Sequence, residues 1–259
     1  MKIVIPIYTT QLNDYEQYSL RQSIKMFAPR RDIVIVSPAS LDLSPLKEVI
    51  GNVGVERFDD GFFASIKDYN RLMLSAEFYA RFIESEYIVI CQTDVLVLSD
   101  TLDEWCNKGY DYVGAPWLPK HKYLHYPQRL VWHLRRMMAK LPSSKDHGIV
   151  REGMVGNGGF SLRRTKSLHN VCLQLHNLME VYRENGNNVK FFEDVFWATQ
   201  AQLNIPPYQE AVYFAMETRP DCALRLTHGQ LPMAIHAWCK PPYLDFWKHK
   251  LILPNGMCQ

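Results

Sequence analysis

Short apolar runs alternate with helical patterns of apolar residues through the N-terminal part of the chain. The runs typical of buried strands cover residues 2–8, 32–37, 53–58 and 87–91. The intervening segments with helical spacing are residues 14–27, 43–50 and 66–83. Alternation of strands and helices is typical of an α/β layer around a mostly parallel sheet. We therefore predict a Rossmann-like α/β fold in which helices flank a mostly parallel central sheet.

The C-terminal part of the chain has a less regular pattern. We predict helices at residues 102–108, 130–141, 166–185 and 191–202, and a short strand at residues 112–117; the segment 155–163 is rich in glycine. Prolines from residue 206 onward predict an extended tail rich in turns. A chain of 259 residues is long for one average domain and short for two. We therefore predict a single domain, 1–259, with two halves at 1–100 and 101–259.

Composition excludes several classes of protein. The sequence is 47% hydrophobic and 22% charged, as in globular proteins, and its net charge of +2 is too small to imply a nucleic-acid partner. No apolar run approaches the roughly 18–20 residues of a membrane span, and the first run is too short for a signal peptide. The six cysteines have neither CxxC pairs nor zinc spacing. We expect reduced thiols and a cytoplasmic protein.

Residues 119–151 form a basic insert. This segment has eight Lys and Arg residues against the single acid Asp146. A solvated face or flexible loop is one interpretation. The other is a surface that contacts an anionic membrane or a lipid-linked acceptor that carries phosphate.

Polar residues follow the predicted strands where ligands gather in α/β folds. Asp94 interrupts the apolar sequence YIVICQTDVLVL at residues 87–98, and a buried carboxylate is costly unless it is paired or binds a metal. Thr9 and Asp59 also follow strands, and the carboxyl ends of parallel strands share one edge. Asp94 is therefore a candidate ligand for Mg²⁺ or Mn²⁺ shared with phosphates, and a solvated cap of the strand is the alternative.

The acidic pair Glu193 and Asp194 precedes an apolar helical segment. Acids at a helix start are stabilised by the helix dipole, so capping explains them without any catalytic role. Alternatively, a half-buried carboxylate with a raised pKa can act as a general base. Asp194 is the better candidate because its shorter side chain is held more rigidly, and Glu193 would orient it or bind hydroxyl groups.

Three weaker motifs also have two interpretations each. Gly158 and Gly159 either let the backbone approach a ligand or form a tight turn. Arg71 either contacts phosphates or is an exposed helix residue. His236, inside an apolar stretch, is either a core residue or a metal ligand.

The order of these motifs resembles that of a known enzyme class. The strand ending at Asp94 is followed by YVGAPW at 112–117, VGNGGFSLRR at 155–164, EDVFW at 193–197 and HAW at 236–238. This order resembles the nucleotide-sugar glycosyltransferases of the GT-A fold. It is most similar to a bacterial domain-of-unknown-function family of predicted glycosyltransferases related to β1,3-galactosyltransferase-like enzymes. The resemblance covers residues 1–118 and 152–240 and leaves the basic insert outside.

The resemblance implies a metal site and a catalytic base. Asp94 matches the last acid of the Asp-x-Asp metal motif of these enzymes, and His236 matches the late histidine that completes the shell around Mn²⁺ or Mg²⁺. Gln92 stands where the first acid usually is, which leaves metal dependence open. Asp194 matches the base of inverting members, with Glu193 beside it.

The resemblance also implies positions for the two substrates. The donor would contact Tyr8, Thr9, Tyr69, Asn70, Arg71, Gln92, Thr93, Asp94, Gly158 and Gly159. The acceptor would lie near Trp117, Phe160 and Trp197, in the C-terminal half.

Together these implications predict a glycosyltransferase that moves a sugar from a nucleotide-diphosphate donor to a saccharide or lipid-linked saccharide, with inversion, in surface polysaccharide biosynthesis. It would be cytoplasmic, with peripheral contact at the inner face of the membrane through the insert. A non-catalytic saccharide- or nucleotide-binding module on a degenerate fold is the alternative, and Gln92 favours it. A glycoside hydrolase is disfavoured because its two carboxyl groups must flank the bond, about 5–10 Å apart, whereas adjacent residues at a helix start point in different directions.

Overall fold

A computed structural model describes residues 1–124, 126–139 and 151–251. The strands within these residues are β1 (Lys2–Pro6), β2 (Asp32–Pro38), β3 (Gly54–Phe58), β4 (Tyr87–Cys91), β5 (Val95–Val97), β6 (Tyr112–Gly114), β7 (Pro116–Trp117), β8 (Met154–Val155), β9 (Phe160–Arg164), β10 (Ala215–Met216) and β11 (Ala234–His236). Six of them form the central sheet in the order β3-β2-β1-β4-β9-β6. The first four are parallel, and β9 is antiparallel to both of its neighbours. The prediction of a mostly parallel sheet is confirmed.

Helices cover both faces of this sheet. They are Asp14–Phe27, Lys47–Ile50, Ile66–Met73, Ala76–Ala80, Leu102–Asn107, Gln128–Ala139, Thr165–Gln174, His176–Glu184, Glu193–Thr199, Tyr208–Phe214, Pro220–Leu226 and Tyr243–Lys248, with shorter 3₁₀ turns at Ser44–Leu46, Asp60–Phe62, His121–Leu124 and Val189–Phe191. Consecutive residues of β4 enter different cores: Val89 packs in the same cluster as Phe27, and Ile90 packs with Phe78. Burial on both faces is why this strand is a continuous apolar run.

Two segments predicted as single helices are each divided in two. In the segment 66–83 the break comes at Ser75, whose hydroxyl accepts a hydrogen bond from the Phe78 amide at 3.1 Å and so caps a new helix. In the segment 166–185 the break comes at Leu175.

The predicted extended tail is wrong. Its prolines mark the starts of helices instead, with Pro207 just before Tyr208–Phe214, Pro220 in the first turn of Pro220–Leu226 and Pro242 before Tyr243–Lys248. Proline favours the first turn of a helix because its missing N–H has no partner there.

The chain leaves the central sheet immediately after β4. Strand β5 joins β10 and β11 in a separate three-stranded sheet, where it is antiparallel to β11 and places His236 opposite Val95. Asp94 is the last residue of the crossing between the two sheets. The crossing therefore brings Asp94 beside a histidine from the far end of the chain.

The basic insert is only partly covered by the described residues. Its helix, Gln128–Ala139, starts two residues earlier than predicted, whereas residues 140–150 lie outside the described part of the chain. Within the part that is described, no helix combines the length and apolar character needed to cross a membrane.

Candidate active site

A cleft of about 610 Å³ opens where the central sheet meets the three-stranded sheet. Nine of the residues predicted to be functional line it together: Tyr8, Tyr69, Asn70, Gln92, Gly158, Gly159, Glu193, Asp194 and His236. These residues come from both halves of the sequence. The cleft lies at the carboxyl ends of β1 and β4, where ligands bind in α/β sheets.

His236 lies between two carboxylates. Its Nε2 is 3.2 Å from Asp94 Oδ1 and also 3.2 Å from Gln92 Oε1, and its Nδ1 is 3.4 Å from Glu217 Oε1. Burial alone would lower the pKa of His236, but the hydrogen bonds and charges of Asp94 and Glu217 outweigh burial and raise the pKa to about 9. The imidazole is therefore a cation at neutral pH.

Lys240 adds a second cation to Asp94. Its Nζ lies 2.5 Å from Asp94 Oδ2. Burial would raise the pKa of Asp94, but the hydrogen bonds from His236 and Lys240 and their charges hold it well below its usual range. A buried carboxylate at the end of a central strand is thus stabilised by two cations.

The atoms around Asp94 also fit a divalent ion in type and spacing. Asp94, His236 and Gln92 offer a carboxylate oxygen, an imidazole nitrogen and an amide oxygen, and their 3.2 Å separations approach the roughly 3 Å between adjacent ligands of an octahedral ion with bonds of about 2.1 Å. Within the described residues, no group of three or more His, Cys, Asp or Glu side chains is arranged for a metal. An ion at Asp94 would have to displace Lys240 and the proton of His236.

On the opposite wall, Glu193 is held rigidly. Its side chain is 4% exposed and accepts a hydrogen bond from Arg163 Nη2 at 3.0 Å, and its backbone N–H donates to Asn70 Oδ1 at 2.8 Å. Arg163 is fully buried and also donates to the hydroxyl of Tyr79 at 2.9 Å. A Cβ at Gly158 would come within 1.7 Å of Glu193 Oε1, so only glycine fits beside the carboxylate.

Asp194 is in a different electrostatic environment from Glu193. Its Oδ1 accepts a hydrogen bond from the amide of Val195 at 2.7 Å. Burial and the charge of Glu193, with a further contribution from Glu217, raise the pKa of Asp194 to about 7. A carboxylate that titrates near neutral pH is suited to take a proton from a hydroxyl group.

The glycine-rich segment packs directly against His236. A Cβ at Gly159 would lie 2.2 Å from His236 Nε2. Asn157 accepts a hydrogen bond from the Gly159 amide at 3.1 Å, donates one to Glu217, and has a left-handed φ of 68°. Ala237, next to His236, also has a positive φ of 52°. Such strained backbone is concentrated at functional sites.

Two of the predicted acceptor contacts are wrong. Phe160 and Trp197 are both 0% exposed. Phe160 stacks on Phe214 with ring centroids 5.0 Å apart, and Trp197 packs edge-on against Tyr79 at 5.9 Å. Side chains without exposed surface belong to the core and do not contact an acceptor.

Other predicted residues lie beside the cleft rather than in its lining. Arg71 pairs with Asp68 at 3.1 Å, and the Thr9 hydroxyl accepts a hydrogen bond from the Gln11 amide. Thr93 belongs to the turn between β4 and β5. Trp117 lines a separate cavity.

Three lining residues that hydrogen bonds or ion pairs connect to Asp94 and His236 were not predicted as site residues: Asn157, Glu217 and Lys240. Asn157 lies inside the glycine-rich motif and Lys240 lies four residues after His236, so both are close in sequence to predicted residues. Glu217 follows a strand of only two residues and has no pattern that marks it. The pairing of β10 with β11 places Glu217 beside His236.

Comparisons with known proteins agree with this fold. The model of a family described as "Protein of unknown function (DUF5672)" matches residues 52–236. No curated protein matches the sequence.

Solved structures are similar over nearly the whole chain. Mouse xyloside xylosyltransferase 1, in its apo form, has 11% identity and a TM-score of 0.53, over 93% of this chain and 99% of that one. The galactosyltransferase LgtC, in complex with donor and acceptor sugar analogues, has 15% identity and a TM-score of 0.53 over 98% of each chain. An active-site mutant of LgtC has 16% identity and a TM-score of 0.54 over the same shares. At such identities the likeness shows the fold alone, and that fold is GT-A, as the sequence predicted.

Proposed function

The chain belongs to the DUF5672 family, and we propose that it is a glycosyltransferase that moves a sugar from a nucleoside-diphosphate donor to a saccharide hydroxyl. One observation carries this proposal: Asp194, with a pKa raised to about 7, lines the same cleft as His236 and Lys240, the two cations that flank Asp94. A base for the acceptor and positive charge for a leaving diphosphate are the two requirements of the reaction.

The donor would bind on the side of the cleft near Asp94. Lys240 and His236 supply positive charge for the diphosphate, which needs such charge as the sugar–phosphate bond breaks. Tyr8 is 56% exposed at the mouth of the cleft and offers an aromatic face to the nucleobase. Gly158 and Gly159 let Glu193 and His236 pack directly against the backbone beside the donor, because any side chain at either position would collide with one of them.

The acceptor hydroxyl would approach Asp194. Asp194 takes the hydroxyl proton as the oxygen forms a bond to the anomeric carbon, and the nucleoside diphosphate leaves with the electrons of the broken bond. Attack from the side opposite the leaving group inverts the configuration. Glu193 supports this role through its charge, which contributes to the raised pKa of Asp194.

A divalent cation is part of this proposal as a ligand of Asp94 and His236, with Gln92 as a neutral third group. When bound, Mg²⁺ or Mn²⁺ supplies charge that offsets the leaving diphosphate. Since the ion competes with Lys240 for Asp94 and with a proton for His236, it binds more tightly as pH rises.

A peripheral contact with an anionic membrane is also proposed. The helix Gln128–Ala139 exposes Leu130, Leu134 and Met138, which lie four residues apart on one face. Arginines on the same helix suit an anionic surface. The cytoplasmic location and the role in surface polysaccharide synthesis stay predictions.

A non-catalytic binding module is the second candidate, because Gln92 removes one charged metal ligand and Lys240 pairs with Asp94. Turnover distinguishes the two. Purified protein is incubated with UDP-, GDP- and dTDP-sugars, with a CMP-sugar as the monophosphate control, while binding is followed by thermal shift and turnover by released nucleoside diphosphate. A transferase both binds and releases, whereas a binding module gives a thermal shift without release.

A further inference from the structure

A second cavity, of about 540 Å³, lies beside the proposed active site. We call it the basic cavity, and the lining residues that matter are Trp117, Lys120, Arg151, Glu152, Arg219 and Tyr243. Trp117 was expected to contact the acceptor, and Lys120 and Arg151 belong to the basic insert, for which contact with an acceptor that carries phosphate was one interpretation. Glu152, Arg219 and Tyr243 were not candidates from the sequence.

The basic cavity and the cleft adjoin along two segments of the chain. Glu217 lines the cleft, whereas the next residues, Thr218 and Arg219, line the basic cavity. The ring of Trp117 packs on Gly156 so closely that a Cβ there would lie 2.0 Å from it, and the following residue, Asn157, lines the cleft. The charge of Arg151 lowers the pKa of Asp194, so the two groups are within electrostatic reach.

The charges that line the basic cavity are strongly unbalanced. Four cationic side chains, Lys120, Arg135, Arg151 and Arg219, face one acid, Glu152. Glu152 is buried and is already paired with Arg219 at 3.1 Å, while its other oxygen accepts a hydrogen bond from Trp132 Nε1 at 3.0 Å. The single acid is therefore neutralised by one arginine.

Lys120 and Arg151 have no acidic partner among the described residues and can therefore pair with an anionic ligand. Among the described residues, neither of them forms an ion pair within 4.0 Å. Arg151 instead lies over the ring of Trp117, with 5.6 Å between its guanidinium carbon and the ring centroid. A guanidinium beside an aromatic face binds a carboxylate or phosphate while the ring packs against the sugar that carries it.

From this arrangement we infer that the acceptor is an anionic saccharide, whose carboxylate or phosphate binds Arg151 and Lys120 in the basic cavity while its reacting hydroxyl lies at Asp194. This inference rests on the proposed transferase function, since it assigns the substrate class of the same site. Trp117 and Tyr243 would contact the sugar ring that bears the charge. A neutral saccharide would leave two uncompensated cations in the cavity.

Direct binding tests the inference without any turnover. The probes are a disaccharide that contains glucuronate, its neutral glucose counterpart, and a disaccharide 1-phosphate; each is titrated into the full protein by calorimetry. We expect at least one anionic probe to bind at least tenfold more tightly than the neutral one, with an affinity that falls as salt rises. Preference for the glucuronate probe identifies a uronic-acid acceptor, and preference for the phosphate probe identifies a glycosyl-phosphate acceptor.

Substitutions test whether the preference for anionic probes depends on the basic cavity. Arg151→Gln should lower the affinity for the preferred anionic probe about tenfold, and Lys120→Gln should lower it to a lesser extent because Lys120 is more exposed. Arg129→Gln removes the same charge from an exposed position on the helix Gln128–Ala139 and serves as the matched control. Equal affinity of the wild-type protein for neutral and anionic probes, or equal losses in Arg129→Gln and Arg151→Gln, overturns the inference.

The transferase proposal and the inference about the acceptor fail in different ways. If the wild-type protein releases no nucleoside diphosphate from any donor, the transferase proposal fails while the binding titrations still decide whether the basic cavity selects anionic saccharides. If donors are hydrolysed but anionic probes bind no better than neutral ones, the transferase proposal stands and this inference fails.

Discussion

Asp94 Oδ1 and His236 Nε2 lie 3.2 Å apart, because the pairing of β5 with β11 places the histidine opposite Val95. The contact joins the end of the central sheet to the three-stranded sheet. It also explains how an acid is tolerated in an otherwise apolar run, since His236 and Lys240 compensate its charge. The same two cations supply the positive side of the proposed diphosphate site.

The raised pKa of Asp194 predicts a pH-dependent cost to stability. In the unfolded chain its pKa is about 3.8, whereas in the fold it is raised to about 7. Between these values the folded protein keeps a proton that the unfolded chain has lost, so the free energy of unfolding falls as pH rises from about 4 to about 7. Asp194→Asn keeps the shape of the side chain and its hydrogen-bond acceptor but removes this cost.

We therefore expect Asp194→Asn to be more stable than the wild-type protein at pH 8 by a few kcal/mol, since each unit of pKa difference is worth about 1.4 kcal/mol. At pH 4 the two proteins should unfold alike. Urea unfolding of both proteins at pH 4 and pH 8 measures the two free energies of unfolding. Equal stability of the two proteins at pH 8 would show that the fold does not raise the pKa of Asp194.

The close packing of Gly159 on His236 predicts that even alanine is harmful there. A Cβ 2.2 Å from Nε2 forces the imidazole or the backbone to move, at a cost of about 1–3 kcal/mol. Gly159→Ala should weaken donor binding in titrations. The matched control is Gly54→Ala on β3, where the added Cβ would meet Val34 at an ordinary 3.7 Å and donor binding should not change. Unaltered donor affinity in Gly159→Ala would contradict the assigned role of the glycine.

The ion pair of Arg163 and Glu193 should stabilise the wall that presents Asp194. Removing one partner of a buried pair leaves an uncompensated charge, so we expect Arg163→Met to lower the free energy of unfolding by about 3–5 kcal/mol. The control is Arg81→Met, which breaks the exposed pair with Glu56 at 3.2 Å and should cost about 0–1 kcal/mol. Urea unfolding of both variants at pH 7 compares them, and similar losses would argue against a buried structural pair.

The exposed apolar face of the helix Gln128–Ala139 predicts membrane binding. Leu134 and Met138 are 49% and 66% exposed, so Leu134→Glu with Met138→Glu should abolish co-sedimentation with phosphatidylglycerol vesicles without a loss of stability. Leu173→Glu changes a leucine that is 60% exposed on another helix and should sediment like the wild-type protein. Binding to phosphatidylcholine vesicles should be weaker throughout. Wild-type protein that stays in the supernatant with both lipids would remove the proposed contact.

The sequence predicted those features that depend on local pattern. Strands β1, β2 and β4 of the central sheet are marked by continuous apolar runs. The helix Asp14–Phe27 has the predicted bounds, since Asn13 and Glu16 form a capping box that fixes its start. Residues at the carboxyl ends of β1 and β4 were expected to meet, because parallel strands share that edge.

The features that the sequence could not predict depend on contacts between distant segments. Phe160 and Trp197 were assigned to the acceptor because aromatic residues suit both sugars and cores, and only their packing on Phe214 and Tyr79 distinguishes the two. The pair of Arg163 and Glu193 joins β9 to a helix start, and no spacing in the sequence indicates it. The second carboxylate beside His236, Glu217, depends on the pairing of β10 with β11.

The central claim is that Asp194 removes a proton from an acceptor in a nucleotide-sugar cleft. Its most direct test is the rate of nucleoside diphosphate release in the presence of acceptor, with the donor that the nucleotide-sugar screen selects, for the wild-type protein and Asp194→Asn. We predict that the variant keeps its affinity for the donor and loses at least about 100-fold in rate. Full transfer by Asp194→Asn, or no release by the wild-type protein from any donor, would contradict the account.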